Sequence, residues 1–211
     1  MVVKRAPEDI ADFIVRRDRA FTQVVRDVGP PPRRRSAPVE QRFASLVRSI
    51  TFQLLATKAA ATIHARVEVL CDGDVAPRAI LLVGHQRLRE AGLSNAKAAA
   101  MLDLATRAQE GSLRFARHGR LDDDAVLQEV VAVRGVGPWT AQMYLMHTLA
   151  RRDVWPVGDF GVRAGWSLVH DLKEPIGERD LASQGGPLAG ERSAVAWYCW
   201  RALEHSRRVK Q

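Results

Sequence analysis

The sequence predicts an all-α protein of two helical lobes, and two observations support that class. Apolar residues recur at intervals of three and four residues through most of the chain, which is the spacing of amphipathic helices. No series of runs in which apolar and polar residues alternate, as β-strands would require, interrupts this pattern. The 211 residues, 46% of them hydrophobic, are enough for one helical domain or for two small lobes that share a cleft.

Helical periodicity begins near the N-terminus with a predicted helix over residues 8–28, which Gly29 and the following three prolines end. The basic run Arg33-Arg34-Arg35 comes next, either as a phosphate contact or as a solvated linker. Further helices are predicted over residues 39–70 (two helices meeting near 55–57), 77–82, 85–90, 95–109, 122–133, 138–150, 160–169 and 193–206, with a loop at 111–115. We therefore expect an N-terminal helix and linker at 1–36 and one functional unit of two lobes at 37–211.

The net charge of +8 favours a polyanionic partner such as nucleic acid, although charge alone also fits an anionic membrane or an acidic protein. Cys71 and Cys199 are too few for a disulfide framework or a four-cysteine metal site, and the six histidines lack metal-ligand spacing. We expect no metal. The N-terminal residues lack the apolar run of a signal peptide, and no apolar stretch is long enough for a membrane span. We therefore expect a cytoplasmic protein with no membrane contact, close to the nucleoid if the source is bacterial.

The segment from Val133 to Ala141 carries the strongest local signal. Gly135 and Gly137 flank Val136, and glycines at these positions let the backbone turn sharply and approach a ligand closely. Pro138 suits the first position of the next helix, whose free amides and positive dipole end can bind a phosphate oxygen without reading base sequence. The alternative is an ordinary tight turn between two helices. The whole string favours a helix-hairpin-helix motif.

Four blocks of sequence extend this signal over roughly residues 40–203: residues 46–60, 88–98, 133–163 and 191–201. They resemble the helix-hairpin-helix DNA glycosylases, and within them the 3-methyladenine DNA glycosylase II branch. The third block is the most specific, because it joins the hairpin to Asp159 at the family's spacing. The chain departs from many relatives at Phe52, where they have glycine. The resemblance implies a hairpin that borders a DNA-binding cleft between the two lobes.

By this resemblance Asp159 is the catalytic residue. It follows Thr140 by 19 positions, after a turn at residues 156–158 and before a helical pattern. The alternative is that Asp159 is only a helix N-cap, a position that aspartate favours. A fixed carboxylate would stabilise the positive charge that develops on the sugar when an N-glycosidic bond breaks, and it could activate the attacking water. Bifunctional relatives have a lysine where this chain has Trp139, so we expect a monofunctional enzyme without β-lyase activity.

Aromatic side chains are expected to stack on the base once it is rotated out of the duplex. The candidates for this base pocket are Trp139, Trp200, Phe52 and Tyr198. The alternative for each is core packing.

DNA contacts are expected from residues of the hairpin and from a helix end earlier in the chain. Gln53 and Leu54 lie where relatives push a wedge into the duplex, although Leu54 could instead be a core residue. Lys97 and Arg192 could contact phosphate or remain solvated, and Arg192 could pair with a carboxylate. The DNA-binding candidates are Gly135, Val136, Gly137, Thr140, Gln53, Leu54, Lys58 and Arg163.

The resemblance implies no cofactor, apart from a monovalent cation that the carbonyls of Val131, Val133 and Val136 could hold in a DNA complex. The expected partner is double-stranded DNA with damaged bases, bound by a monomer. Two alternatives to an alkylpurine glycosylase stay open at this point. One is a hairpin module that binds DNA without catalysis, and the other is a glycosylase for deaminated or oxidised bases.

Overall fold

The computed structural model describes residues 5–209, and every regular element in that range is helical. The elements are α1 (Pro7–Arg17), α2 (Thr22–Val28), α3 (Val39–Phe52), α4 (Thr57–Leu70), α5 (Pro77–Glu90), α6 (Asn95–Glu110), α7 (Asp123–Val131), α8 (Pro138–Met143), α9 (Phe160–Val169), α10 (Glu178–Gln184) and α11 (Arg192–Val209). Short 3-10 turns lie at Arg19–Phe21 and Gly186–Leu188, and a π-helical segment, Tyr144–Thr148, continues α8. The predicted all-α class is confirmed.

The chain forms two compact units. Unit 1 consists of Met1–Arg34 and Arg151–Gln211, and unit 2 is the central segment Arg35–Ala150. The predicted division into residues 1–36 and 37–211 differs from this arrangement. The N-terminal segment was expected to pack on the core, and in unit 1 its helices are grouped with the C-terminal residues. Within residues 5–209, no helix has the length and apolar character that crossing a membrane requires.

Unit 1 is built on the close packing of α9 against α11. A Cβ atom added at Gly165 of α9 would lie 2.0 Å from the backbone oxygen of Cys199, so only glycine permits this approach. The N-terminal helices pack onto the same pair, because the Phe21 ring meets the edge of Trp166 and the Tyr198 hydroxyl donates to the Gly29 carbonyl at 3.0 Å. These contacts join segments that lie far apart in the sequence.

Two local features of unit 1 differ from the sequence prediction. The helix predicted over residues 8–28 is broken at Asp18, whose side chain accepts a hydrogen bond from the Ala20 amide at 3.1 Å and starts a new turn. A side chain that caps the backbone in this way competes with helix continuation. The short helix α10 was not predicted at all, because its seven residues bury only Leu181 and carry little apolar periodicity.

Unit 2 packs α3, α5 and α6 around buried aliphatic residues and carries one buried polar network. Helix α5 is interrupted at Gly84, where φ is 72°, which matches the two helices predicted for this segment. The His118 ring is fully buried, with one nitrogen 2.9 Å from the Tyr144 hydroxyl and the other 3.0 Å from a Glu129 carboxylate oxygen. A buried histidine needs such partners, because an unpaired polar group in the core is costly. This network holds the loop after α6 against the π-helical segment, and α8 lies directly before that segment.

Candidate functional site

The hairpin connects α7 to α8 in unit 2 and has the backbone that its two glycines predict. Gly135 adopts a left-handed conformation with φ of 71°, which is costly for any residue with a Cβ atom. Gly137 precedes Pro138, the first residue of α8, and a Cβ atom there would meet nothing within 4 Å. Val136 is buried and therefore anchors the tip between the glycines. The turn thus leaves open space in front of the backbone at Gly137.

Side chains from two other helices fasten this hairpin. The Gln53 amide, directly after α3, donates to the Gly135 carbonyl at 3.3 Å and to the Thr140 hydroxyl at 3.0 Å. The Asp103 carboxylate of α6 accepts the Arg134 amide at 2.8 Å. Burial alone would raise the pKa of Asp103, but hydrogen bonds from the Arg134 amide and the Arg107 side chain outweigh it and hold this pKa below its usual value. The hairpin conformation is therefore fixed by hydrogen bonds to other residues of unit 2.

The turn between α3 and α4 carries the most exposed large hydrophobic side chain of the described residues. Leu54 has a relative exposure of 103% and a positive φ of 53°, which is uncommon for leucine. The Lys97 ammonium donates to the carbonyls of Thr51 and Gln53, at 2.8 and 2.5 Å, and so binds the C-terminal end of α3. Partial burial lowers the pKa of Lys97. Leu54 is therefore a surface residue, and the alternative of a core leucine is wrong.

The acidic residue singled out by the sequence lies in unit 1 at the N-cap of α9. Asp159 is 9% exposed, and its Oδ1 accepts the Val162 amide at 2.7 Å and the Trp200 indole N–H at 2.9 Å. The N-cap interpretation of Asp159 is therefore correct as a local description. It does not exclude chemistry, since the two donors and the N-terminus of α9 hold an acceptor oxygen in a fixed orientation.

A glycine that the sequence analysis did not single out makes room for this arrangement. A Cβ atom on Gly161 would lie 2.9 Å from Trp200 Cδ1 and 3.1 Å from Asp159 Oδ1. Gly161 and Gly165 are one helical turn apart, so α9 presents two glycines toward α11. Their four-residue spacing was visible in the sequence, but the sequence did not show that α11 is the helix against which they pack.

The four aromatic residues predicted for a base pocket have different environments. Trp139 is 45% exposed in unit 2, while Trp200 contacts the Asp159 carboxylate in unit 1. Phe52 is half-buried, with the Arg48 guanidinium over its ring at 4.1 Å. Tyr198 is wholly buried and its hydroxyl is bound to the Gly29 carbonyl, so we correct its assignment to that of a core residue. That Trp139, Trp200 and Phe52 contact one flipped base stays a prediction.

Several polar candidates make internal contacts instead of presenting free groups. Arg163 donates to the Ile176 carbonyl at 3.3 Å, and the Thr140 hydroxyl is buried and accepts from Gln53. Arg192 forms a two-point ion pair with Asp153, as one of its three interpretations predicted. The exposed Lys58 lies in the first turn of α4 and remains a candidate for phosphate contact. Contact between DNA and the side chains of Arg163, Thr140 and Lys58 stays a prediction.

Known proteins with the same fold identify the family. The DNA-3-methyladenine glycosidase of Bacillus halodurans is 30% identical to this chain, with a TM-score of 0.83 over 96% of this chain and 92% of that one. The 3-methyladenine DNA glycosylase of Schizosaccharomyces pombe, solved in complex with abasic DNA, is 25% identical with a TM-score of 0.83 over 92% and 95% of the two chains. The DNA-3-methyladenine glycosylase of Saccharomyces cerevisiae is 28% identical over 93% of this chain and 68% of its own length. No family model matches the sequence.

The match to the Bacillus halodurans protein covers nearly the full length of both chains. The chain therefore belongs to the helix-hairpin-helix family of 3-methyladenine DNA glycosylases.

Proposed function

We propose that this protein is a monofunctional DNA glycosylase that releases alkylated purines of the 3-methyladenine type from double-stranded DNA by hydrolysis. The observation that carries the proposal is the Asp159 carboxylate, which is nine-tenths buried and is oriented by the Val162 amide and the Trp200 indole. The names of its relatives support the same activity, since they are DNA-3-methyladenine glycosylases from bacteria and yeasts.

The chemistry requires a fixed negative charge. As the bond between the purine and the sugar breaks, positive charge builds on the sugar ring, and a carboxylate that is already oriented stabilises it without reorganisation. The same carboxylate can accept a proton from the attacking water. A purine alkylated on a ring nitrogen already carries positive charge and leaves readily, so the reaction needs little help from a general acid. Aromatic faces such as that of Trp200 attract such a cationic ring.

Unit 2 supplies the binding part of this proposal. The hairpin offers backbone amides and open space at Gly137 to a phosphate of the DNA backbone. The exposed Leu54 is suited to fill the gap that a flipped base leaves in the stack. A monovalent cation on the hairpin stays a prediction, since one of its three candidate ligands, the Val133 carbonyl, already accepts the Val136 amide at 3.1 Å. We expect a monomer on damaged duplex DNA.

Trp139 decides which products form. The indole has no amine with which to attack the sugar as a Schiff-base nucleophile. The enzyme should therefore leave an abasic site in an intact strand, and strand breaks should appear only after alkaline treatment.

The experiment that tests the proposal measures free purine released from methylated duplex DNA by the wild type and by Asp159→Asn. Asparagine keeps the N-cap and the indole contact but removes the charge, so we expect release to fall at least about 100-fold. Asp122→Asn is the matched control, because Asp122 caps α7 through a 2.7 Å bond to the Ala125 amide and has no proposed role in chemistry. Its release should equal that of the wild type.

Two other results would replace the proposal. Tight binding to DNA with no release by the wild type would favour a hairpin module without catalysis. Release of hypoxanthine or an oxidised base in preference to 3-methyladenine, still dependent on Asp159, would retain the mechanism and change the substrate.

A further inference from the structure

We infer that Lys97 is a positioning residue that holds the turn between α3 and α4 so that Leu54 is ready to enter the duplex. The inference rests on the proposed function and adds to it a residue whose side chain acts through the backbone. From its sequence position Lys97 was expected either to contact phosphate or to remain solvated, but its hydrogen bonds are made to backbone carbonyls of this turn.

Leu54 occupies a conformation that leucine does not adopt without support. Its φ of 53° lies in the left-handed region, and its side chain is fully exposed, so packing of the side chain cannot stabilise it. The support must come from neighbouring residues. Gln53, directly before Leu54, is fixed on one side by its amide bonds to the Gly135 carbonyl and the Thr140 hydroxyl.

Lys97 supplies the second support. Its ammonium donates to the Gln53 carbonyl at 2.5 Å, which is the acceptor of the peptide group that joins Gln53 to Leu54. It also donates to the Thr51 carbonyl at 2.8 Å, one of the last carbonyls of α3 that have no partner within the helix. A cation at this end of a helix also interacts favourably with the helix dipole. Lys97 therefore contacts directly the peptide group that precedes Leu54.

The backbone of Lys97 is itself fixed. The Lys97 amide donates to the Ser94 hydroxyl at 3.2 Å, which caps the N-terminus of α6, and the neighbouring Ala98 is fully buried. Lys97 therefore reaches α3 from a rigid helix. A lysine that served DNA phosphates would gain more from an exposed position such as that of Lys58, whose residue is exposed at the start of α4.

The inference is tested by a double-mutant cycle on binding. Wild type, Lys97→Met, Leu54→Ala and the double variant are titrated with an undamaged duplex and with a duplex that contains a tetrahydrofuran abasic analogue. The quantity compared is discrimination, the ratio of the Kd for the undamaged duplex to that for the abasic duplex. If Lys97 acts through Leu54, each single variant loses about tenfold in discrimination and the double variant loses no more than either, since residues of one network couple strongly.

Three controls make the outcome decisive. Lys58→Met removes an exposed charge and should weaken binding to both duplexes equally, leaving discrimination unchanged. Lys97→Arg keeps a cationic donor and should restore most of the discrimination. Thermal unfolding of every variant sets the temperature of the titrations, so that a folding defect is not read as a binding defect.

Additive losses in the double variant would show that Lys97 and Leu54 act independently and would overturn the inference. Equal weakening on both duplexes by Lys97→Met would also overturn it and would assign Lys97 to phosphate binding. A wild type without discrimination would overturn it as well. None of these titrations requires base release. Failure of the proposed function would appear separately, as wild-type enzyme that releases no alkylated purine.

Discussion

The acid of unit 1 and the hairpin of unit 2 are held in position by different means. Asp159 lies where two helices approach closely, and Gly161 and Gly165 are what allow that approach. The hairpin is fixed instead by hydrogen bonds: the Gln53 amide donates to the Gly135 carbonyl and the Thr140 hydroxyl, and the Asp103 carboxylate accepts the amide of the neighbouring hairpin residue, Arg134. A buried carboxylate requires hydrogen-bond donors held in a rigid frame, whereas a surface that binds the DNA backbone requires exposed amides. Substitutions in the two regions should therefore change different quantities.

The largest effect on stability should come from the helix crossing of unit 1. Gly165→Ala places a Cβ atom 2.0 Å from the Cys199 carbonyl oxygen, so α9 and α11 must separate. We expect a loss of about 2 kcal/mol in the free energy of unfolding, as for other overpacked cores. Urea denaturation followed by circular dichroism measures it. Gly186→Ala is the control, since its Cβ would meet nothing within 4 Å, and an equal loss there would remove the argument.

Gly161→Ala tests the contact between Trp200 and Asp159 separately from the stability of unit 1. The new methyl group would press on the Trp200 indole and on Asp159 Oδ1, while alanine improves the helix propensity of α9 by about 1 kcal/mol. We expect little change in the free energy of unfolding and an excision rate about tenfold lower under single-turnover conditions. An unchanged rate would mean that the contact between Trp200 and Asp159 does not matter for the reaction.

In unit 2 the corresponding test is Asp103→Asn. The asparagine side chain can still accept the Arg134 N–H, but this bond is no longer charge-assisted and the ion pair with Arg107 is lost. The two changes together are worth about 1 kcal/mol. We expect the Kd for duplex DNA to rise about threefold, with the single-turnover rate at saturating enzyme unchanged. Isothermal titration and quenched-flow assays measure the two values. A lower rate with unchanged affinity would reverse the roles assigned to the two regions.

The smallest effect concerns pH. The folded-state pKa of Asp103 lies below its unfolded value of 3.8, so its stabilising contribution is complete above that pH and is lost as the pH falls through the folded pKa. The pKa of Asp153 is lowered as well: burial alone would raise it, but the Arg192 ion pair and backbone hydrogen bonds outweigh burial, so its contribution to stability is also lost at low pH. Both groups are partly exposed, so each contribution stays below about 1 kcal/mol. Comparing acid denaturation of Asp103→Asn with wild type checks this: the difference in stability should shrink below pH 3.8.

The sequence predicted what is encoded locally. The hairpin needs only nine consecutive residues, and the N-cap of α9 needs the turn before Asp159 and the apolar pattern after it. Both were found, as were most helices. The all-α class followed from the same periodicity.

The features that were missed depend on contacts between distant residues. Trp200 reaches Asp159 across 41 positions, and Lys97 reaches Gln53 across 44. Tyr198 was assigned to a base pocket because an aromatic residue on a helix gives no sign of which side faces the core. The sequence likewise does not reveal that Arg163 donates to the Ile176 carbonyl or that the Thr140 hydroxyl accepts from Gln53.

The division of labour between the two regions is tested most directly by measuring rate and affinity on the same variants. Single-turnover release of 3-methyladenine at saturating enzyme, and the Kd for an abasic-analogue duplex, would be determined for Asp159→Asn and for Gly135→Ala. The account predicts that Asp159→Asn lowers the rate at least about 100-fold with Kd within about threefold. Gly135→Ala, which strains a backbone with φ of 71°, should raise Kd about tenfold and keep the rate. A wild-type rate in Asp159→Asn would contradict the account.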